Sequence, residues 1–301
     1  MEIGIAVGDL RGSTTAAELV RQVGTAADGG FHTAWASQAL GWDALVALAV
    51  AGRVPGIRLG TAVVPTPQRH PLVLASAALS VQAAVDNRLT LGIGAGIAAM
   101  TAGMFGLPTD RPARRMREYL DVLLPLLRGE QVEHRGATLA AAGSVDVPGA
   151  EPPPVLLAAL APAMVRLAGE LTAGAVTWMA GPRTLAEHVV PAITRAAEDH
   201  GRPAPRVVAG LPVCVAADVD QARARIADRF GVAGQVPEYR AVLDREGVDW
   251  PQDVAVVGDE AAVVAGIGRL RDAGVSEFLA APSGSPEEQQ RTVRLLTELA
   301  A

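Results

Sequence analysis

The feature that most constrains this chain is a regular alternation. Short apolar runs of strand length are separated, from one end to the other, by longer stretches with helical spacing. The runs fall at 3–7, 33–37, 57–64, 89–93, 154–159, 174–179, 206–215 and 276–281. Helical patterns cover 14–29, 43–53, 71–86, 112–128, 162–172, 183–200, 218–231, 259–273 and 286–300. Eight strands, each beside a helix, suit a closed (β/α)8 barrel better than an open doubly wound sheet. Runs such as Pro154-Val155-Leu156-Leu157-Ala158-Ala159 are apolar throughout, as expected of strands covered on both faces. The expected fold class is therefore α/β, a single TIM barrel domain over 1–301. An excursion rich in Gly, Pro and small residues at 129–153 and an extra helix near 236–246 interrupt the pattern.

Composition removes several chemistries. All 26 basic residues are arginine, so a lysine Schiff base, a pyridoxal-phosphate anchor and a Walker A loop are excluded. The net charge of −6 argues against a nucleic-acid partner. Arg111, Arg114, Arg115 and Arg117 cluster at helical spacing with Asp110 and Glu118 among them, which reads as a solvated helix face. The single cysteine, Cys214, lies in an apolar run and reads as a buried thiol. No apolar stretch has the length of a membrane span, and no basic leader precedes the first strand, so a cytoplasmic location without a membrane partner is expected.

In such a barrel, chemistry gathers at the C-terminal strand ends. Those ends read Gly8-Asp9, Ser37-Gln38, Val64 to His70, Gly94-Ala95-Gly96, Leu160-Ala161, Thr177-Trp178-Met179, Ala216-Ala217 and Ala281-Pro282. Gly92-Ile93-Gly94-Ala95-Gly96 has the look of a dinucleotide fingerprint, but Ile97 stands where the third glycine belongs. Glycines there can equally admit a flat ligand. The five histidines are scattered without metal-type spacing, so no metal is expected, and His70 reads as a helix-entry residue. No nucleophile elbow is present.

Leu59-Gly60-Thr61-Ala62-Val63-Val64-Pro65, running on to Arg69-His70-Pro71, resembles the third-strand signature of the luciferase-like monooxygenase superfamily. Further matching stretches are Arg88 to Gly94, Asp110 to Tyr119, Leu167 to Leu171, Thr177 to Leu185 and Val256 to Glu260. Within that superfamily the chain is more similar to the actinobacterial oxidoreductases that use the deazaflavin coenzyme F420. The resemblance implies a deazaflavin ring near the ends of strands 2, 3 and 4, close to Gly94, and a non-prolyl cis peptide near Ala62-Val63 that supports it. It implies a phosphate tail at the helix start Ala161-Pro162, where free N–H groups favour an anion. It also implies a homodimer, for which the sequence locates no interface.

Several positions depart from the family pattern. Gln38-Ala39 replaces Asp-His, Ile97 replaces a histidine, Ala161 replaces a glycine, and Pro67 and Ala233 replace tyrosines. Gly181 stands where some relatives carry a lysine, leaving Arg183 or backbone for any tail contact. Small apolar groups thus replace polar ones, which points to an eroded coenzyme site and a bulky, apolar, polyketide-like substrate. The expected activity is a cyclisation or rearrangement without a cofactor, accelerated by holding one reactive conformer. Gln38, Ser37, Thr66, Thr177 and Tyr239 would donate hydrogen bonds, with Asp9, Asp43 and Glu238 as the nearby carboxylates. Trp35, Trp42, Val64, Ile97, Trp178 and Met179 would shape the apolar walls, and Asp43 also reads as a helix cap. The alternatives are F420-dependent hydride transfer with a ketone, imine or enone, and non-catalytic binding of a hydrophobic metabolite.

Overall fold

The computed structural model describes residues 1–8 and 14–300. Its strands are β1 (Glu2–Val7), β2 (Thr33–Ala36), β3 (Arg58–Thr61), β4 (Val64–Pro65), β5 (Leu89–Gly94), β6 (Val132–Arg135), β7 (Ala140–Gly143), β8 (Val155–Ala158), β9 (Gly174–Trp178), β10 (Arg206–Val215), β11 (Val256–Gly258) and β12 (Glu277–Pro282). The helices are α1 (Ala16–Asp28), α2 (Ala44–Ala51), α3 (Pro71–Ala84), α4 (Ala98–Phe105), α5 (Pro112–Leu127) and α6 (Pro162–Leu171). Next, α7 (Pro182–Thr184) runs through a π turn into α8 (Val190–Asp199), followed by α9 (Val219–Phe230), α10 (Pro237–Glu246), α11 (Glu260–Asp272) and α12 (Pro286–Ala300).

All eight expected apolar runs are strands, and the sheet order is that of a (β/α)8 barrel. The third run differs in detail: it is split into β3 and β4 by a cis peptide at Ala62-Val63, where the resemblance placed one. The excursion at 129–153 carries the antiparallel hairpin β6–β7, and the extra helix near 236–246 is α10. Beyond that hairpin, α4 and β11 were not expected. α4 is short and apolar on most of its exposed surface, so it shows no amphipathic signal, and β11 has only three residues.

The chain divides into two compact units. The first comprises Met1–Ala6, Thr25–Trp35 and Ala159–Ala301. Its ladder is parallel: β1 pairs β12 from Glu2↔Glu277 onward, β12 pairs β10, and β10 pairs β9 along its first half and β11 at its end. The second comprises Val7–Gly24 and Ala36–Ala158, with β3 and β4 both pairing β5, and β5 pairing β8.

Strand β5 is buried at every position, with Leu89, Leu91 and Ile93 at 1% exposure or less, which is why apolar residues and glycine fill all of it but Thr90. Helix starts follow chemistry visible in the sequence. Asp43 Oδ1 accepts from Leu45 N (3.0 Å) and Val46 N (3.2 Å) to cap α2. His70 Nδ1 accepts from Leu72 N (3.3 Å) ahead of Pro71 in α3, the helix-entry role read from its position. Among the described residues, no helix is long and apolar enough to cross a membrane.

Candidate functional site

In the second unit, polar side chains converge where β2 gives way to α2. Arg69 Nη2 donates to Gln38 Oε1 (3.0 Å) and pairs with Asp43 Oδ2. Gln38 Oε1 also accepts from Ala44 N (3.3 Å). With its oxygen held twice, the Gln38 amide has one orientation, and its Nε2 donors have no partner among the described residues. Asp43 caps a helix with one oxygen and neutralises Arg69 with the other. Tyr119 Oη donates to Arg69 O (3.0 Å), and burial pushes its phenol far above the usual range.

Beside this group the chain bulges at Ala62-Val63. Ser37 Oγ donates to Ala62 O (2.7 Å), and Thr66 Oγ1 donates to Gly94 O (3.1 Å). Both hydroxyl protons are therefore spent on backbone. A Cβ on Gly92 would lie 1.9 Å from Thr61 O, and one on Gly94 would lie 2.9 Å from Val63 Cγ2 and 3.0 Å from Ala158 Cβ. These glycines let the bulge pack against β5, so the side-chain space at Gly94 belongs to the protein and not to a flat ligand. Ile97 stands at the start of α4 with no capping side chain.

The first unit holds a second group. No side chain caps α6, and Ala161, Pro162 and Ala163 are exposed. Arg245 Nη1 donates to the adjacent Leu160 O (3.3 Å). The methyl of Ala161 thus leaves this helix start open, with a cation beside it, which suits an anion. The start of α7 is different. Glu246 accepts from Arg183 N (3.2 Å) and Thr184 N (2.8 Å), so an internal carboxylate already satisfies those donors. A Cβ on Gly181 would lie 2.4 Å from Glu246 Cδ, a physical reason for glycine there instead of lysine. The backbone of Arg183 is consequently not free for a tail, and its guanidinium faces Glu187.

Other expected site residues sort unevenly. Thr177 is 1% exposed and its Oγ1 has no hydrogen-bond partner among the described residues, an unspent buried hydroxyl. Trp178 packs edge-to-face on Phe230. Met179 is buried with φ +57°, its N donating to Gly210 O. Burial, with the Glu238 carboxylate beside it, pushes the Tyr239 phenol up to about 12, so it donates and does not serve as a base near neutral pH. Trp42 is part-exposed and donates to Thr14 O (2.8 Å).

Trp35 and Val64, like Met179, belong to the core and not to a wall. Trp35 is 1% exposed with its indole N–H bonded to Glu277 Oε1 (2.9 Å), and Val64 is fully buried. Asp9 lies outside the described residues. Burial raises the Cys214 thiol to about 11, consistent with an inert core cysteine. Sequence reasoning missed Arg69 as the organiser of Gln38 and Glu246 as the plug of α7. Arg69 sat in the quoted third-strand signature; Glu246 had no local signal, being 63 residues from its partner Arg183.

Comparisons with known proteins agree with this architecture. A family model described as luciferase-like monooxygenase matches residues 2–299. The 5,10-methylenetetrahydromethanopterin reductase of Archaeoglobus fulgidus is 31% identical over 242 residues, 77% of this chain and 70% of the relative. An F420-dependent glucose-6-phosphate dehydrogenase of Nakamurella multipartita is 29% identical over 219 residues, 70% and 63% of the two chains. The coenzyme F420-dependent tetrahydromethanopterin reductase of Methanopyrus kandleri superposes with a TM-score of 0.83 at 23% identity, covering 99% of this chain and 97% of that one. The residues quoted from strand 3 onward and the match across almost the whole length agree: the chain belongs to the luciferase-like monooxygenase family.

Proposed function

We propose that this chain is an F420-dependent oxidoreductase that exchanges a hydride between the deazaflavin and an apolar ketone, imine or enone. The observation that carries the reading is the Gln38 amide, fixed through its oxygen by Arg69 and Ala44 and left with two unspent N–H donors at the end of β2. Family membership and a relative named for F420 support it. They reverse the preference for cofactor-free chemistry drawn from the substitutions. The open start of α6 removes one premise of erosion, because Ala161 does not block an anion there.

When bound, the reduced deazaflavin would supply a hydride to the substrate carbon. Gln38 Nε2–H then stabilises the negative charge that develops on the substrate oxygen or nitrogen. Arg69 polarises that amide by drawing on its oxygen, while Asp43 keeps the cluster from carrying net positive charge. Ser37 and Thr66 position the bulge, since their protons are committed to Ala62 and Gly94. Ala95-Gly96-Ile97 carries no titratable side chain to supply the proton that completes the product. Leu40 and Trp42 after β2, and Met104 and Phe105 on α4, expose apolar surface within the same unit, which favours an apolar substrate.

The test is turnover of reduced F420 with a panel of apolar ketones, imines and enones, followed by the return of oxidised-deazaflavin absorbance. Substrate-dependent oxidation is expected, and Gln38→Ala should lower kcat/KM by roughly 10- to 1000-fold. A second reading, cofactor-free cyclisation or rearrangement of a bulky polyketide-like substrate, is favoured by Glu246 filling the start of α7. Conversion of such a substrate with no coenzyme added, and no oxidation of F420 with any acceptor, would replace the first reading by the second.

A further inference from the structure

At the strand starts of the first unit, three side chains that could ligate a metal lie together. Glu2 opens β1 and Glu277 opens β12, and the two are register partners in the parallel ladder. His32 immediately precedes β2, and its backbone N donates to Ile3 O (2.8 Å). One ligand atom from each of Glu2, His32 and Glu277 lies within 4.8 Å of the others.

The cluster also carries a poorly aligned contact. His32 Nε2 is 2.8 Å from Glu2 Oε2, yet it is shielded from solvent and makes no aligned hydrogen bond. An ion between the ring nitrogen and the carboxylates would give that nitrogen an aligned partner. The carboxylate of Glu277 is fully buried and held in place, one oxygen by Trp35 Nε1 (2.9 Å) and the other by Arg206 Nη2 (2.9 Å). That is the kind of outer support that orients a ligating carboxylate. Glu2 is exposed, so an ion bound here has a path to solvent and a water for its remaining position.

We propose that Glu2, His32 and Glu277 form a binding site for a zinc-class divalent cation at the strand starts. One imidazole with two carboxylates matches the ligand preference of Zn2+ and disfavours Mg2+ and Ca2+, which take oxygen alone. Ligand atoms on a tetrahedral zinc stand roughly 3.4 Å apart, within reach of side-chain rotation from the observed spread. The position at strand starts, opposite to the strand ends where barrel chemistry takes place, makes the site structural. It ties the first residues of β1 and β12 to the residue before β2.

The test uses the full chain, ZnCl2 and the variants His32→Ala and Glu2→Gln, neither of which removes a fully buried group. Equilibrium dialysis should find about one Zn2+ per chain, with affinity falling roughly tenfold or more in each variant. Zinc should raise Tm in the parent chain and not in the variants. Co2+ should quench the emission contributed by Trp35, read as the difference from Trp35→Phe, because its indole contacts the ligating Glu277. No stoichiometric binding, or binding that both variants retain at full strength, would overturn the site.

Discussion

Arg69 makes three contacts, two through its guanidinium and one through its backbone carbonyl. Its guanidinium fixes Gln38 and pairs with Asp43, while its carbonyl accepts from Tyr119. Replacing it by methionine keeps an unbranched apolar stem but frees the Gln38 amide to rotate and leaves Asp43 without its cation. In Arg69→Met, kcat/KM should fall about 10-fold or more while Asp43 continues to cap α2, so stability should drop by only ~1–2 kcal/mol, measured by urea melts. An equal loss in both would make Arg69 a structural residue alone. At this scale the sequence was informative about identity and less so about partners. Asp43 and His70 were legible as caps because capping is local. Trp35 was misplaced among the walls because its partner, Glu277, lies 242 residues away.

Among the elements, the bulge between β3 and β4 and the hairpin β6–β7 show how packing decides sequence. Gly92→Ala forces a methyl to within 1.9 Å of a backbone carbonyl that cannot move away as a flexible side chain would. The variant should lose ~3 kcal/mol or more, or fail to fold, as judged by its denaturation midpoint. The hairpin is clamped by Glu118 of α5. This carboxylate accepts from Thr138 Oγ1 (2.6 Å), Thr138 N (2.7 Å), Ala137 N (3.2 Å) and Arg114 Nε (3.2 Å). The Thr138 hydroxyl, then the backbone donors and Arg114, outweigh desolvation and hold its pKa near 2, below the usual 4.5. Because the folded-state value is depressed, the stabilisation is present in full above about 4.5 and is lost as pH falls toward about 2. Glu118→Gln should cost about 1–3 kcal/mol at neutral pH and flatten that acid limb in pH-dependent melts.

The same elements show why the barrel was readable and its additions were not. Strands buried on both faces and capped amphipathic helices write their period into the sequence, so all eight runs and the helix at 236–246 were recovered. The hairpin is built from Ala140-Ala141-Ala142-Gly143 and a polar partner strand, with no period to detect. Its order comes from Glu118 and from His70 Nε2 against Ala140 O (3.0 Å), which are tertiary contacts.

For the whole molecule, family and fold followed from motifs spread along nearly the full length, while the choice between keeping and losing a coenzyme did not. The substitutions at Ile97, Ala161 and Gly181 looked alike as a set, yet their surroundings differ. The helix start at Ala161 is open, whereas the one after Gly181 is filled by Glu246. Composition carries no such distinction, because it depends on where a carboxylate from α10 lands. The absence of lysine therefore leaves arginine and bare helix N–H groups as the means of holding an anion, with Arg245 beside α6 as the one cation identified at an open start among the described residues.

The most direct measurement is titration of the purified chain with oxidised F420, following deazaflavin fluorescence, in the parent and in Gln38→Ala. Saturable quenching or shift with a micromolar or tighter Kd, weakened in the variant, is the predicted result. Unchanged emission up to millimolar coenzyme, from a chain that melts cooperatively, would contradict the assignment.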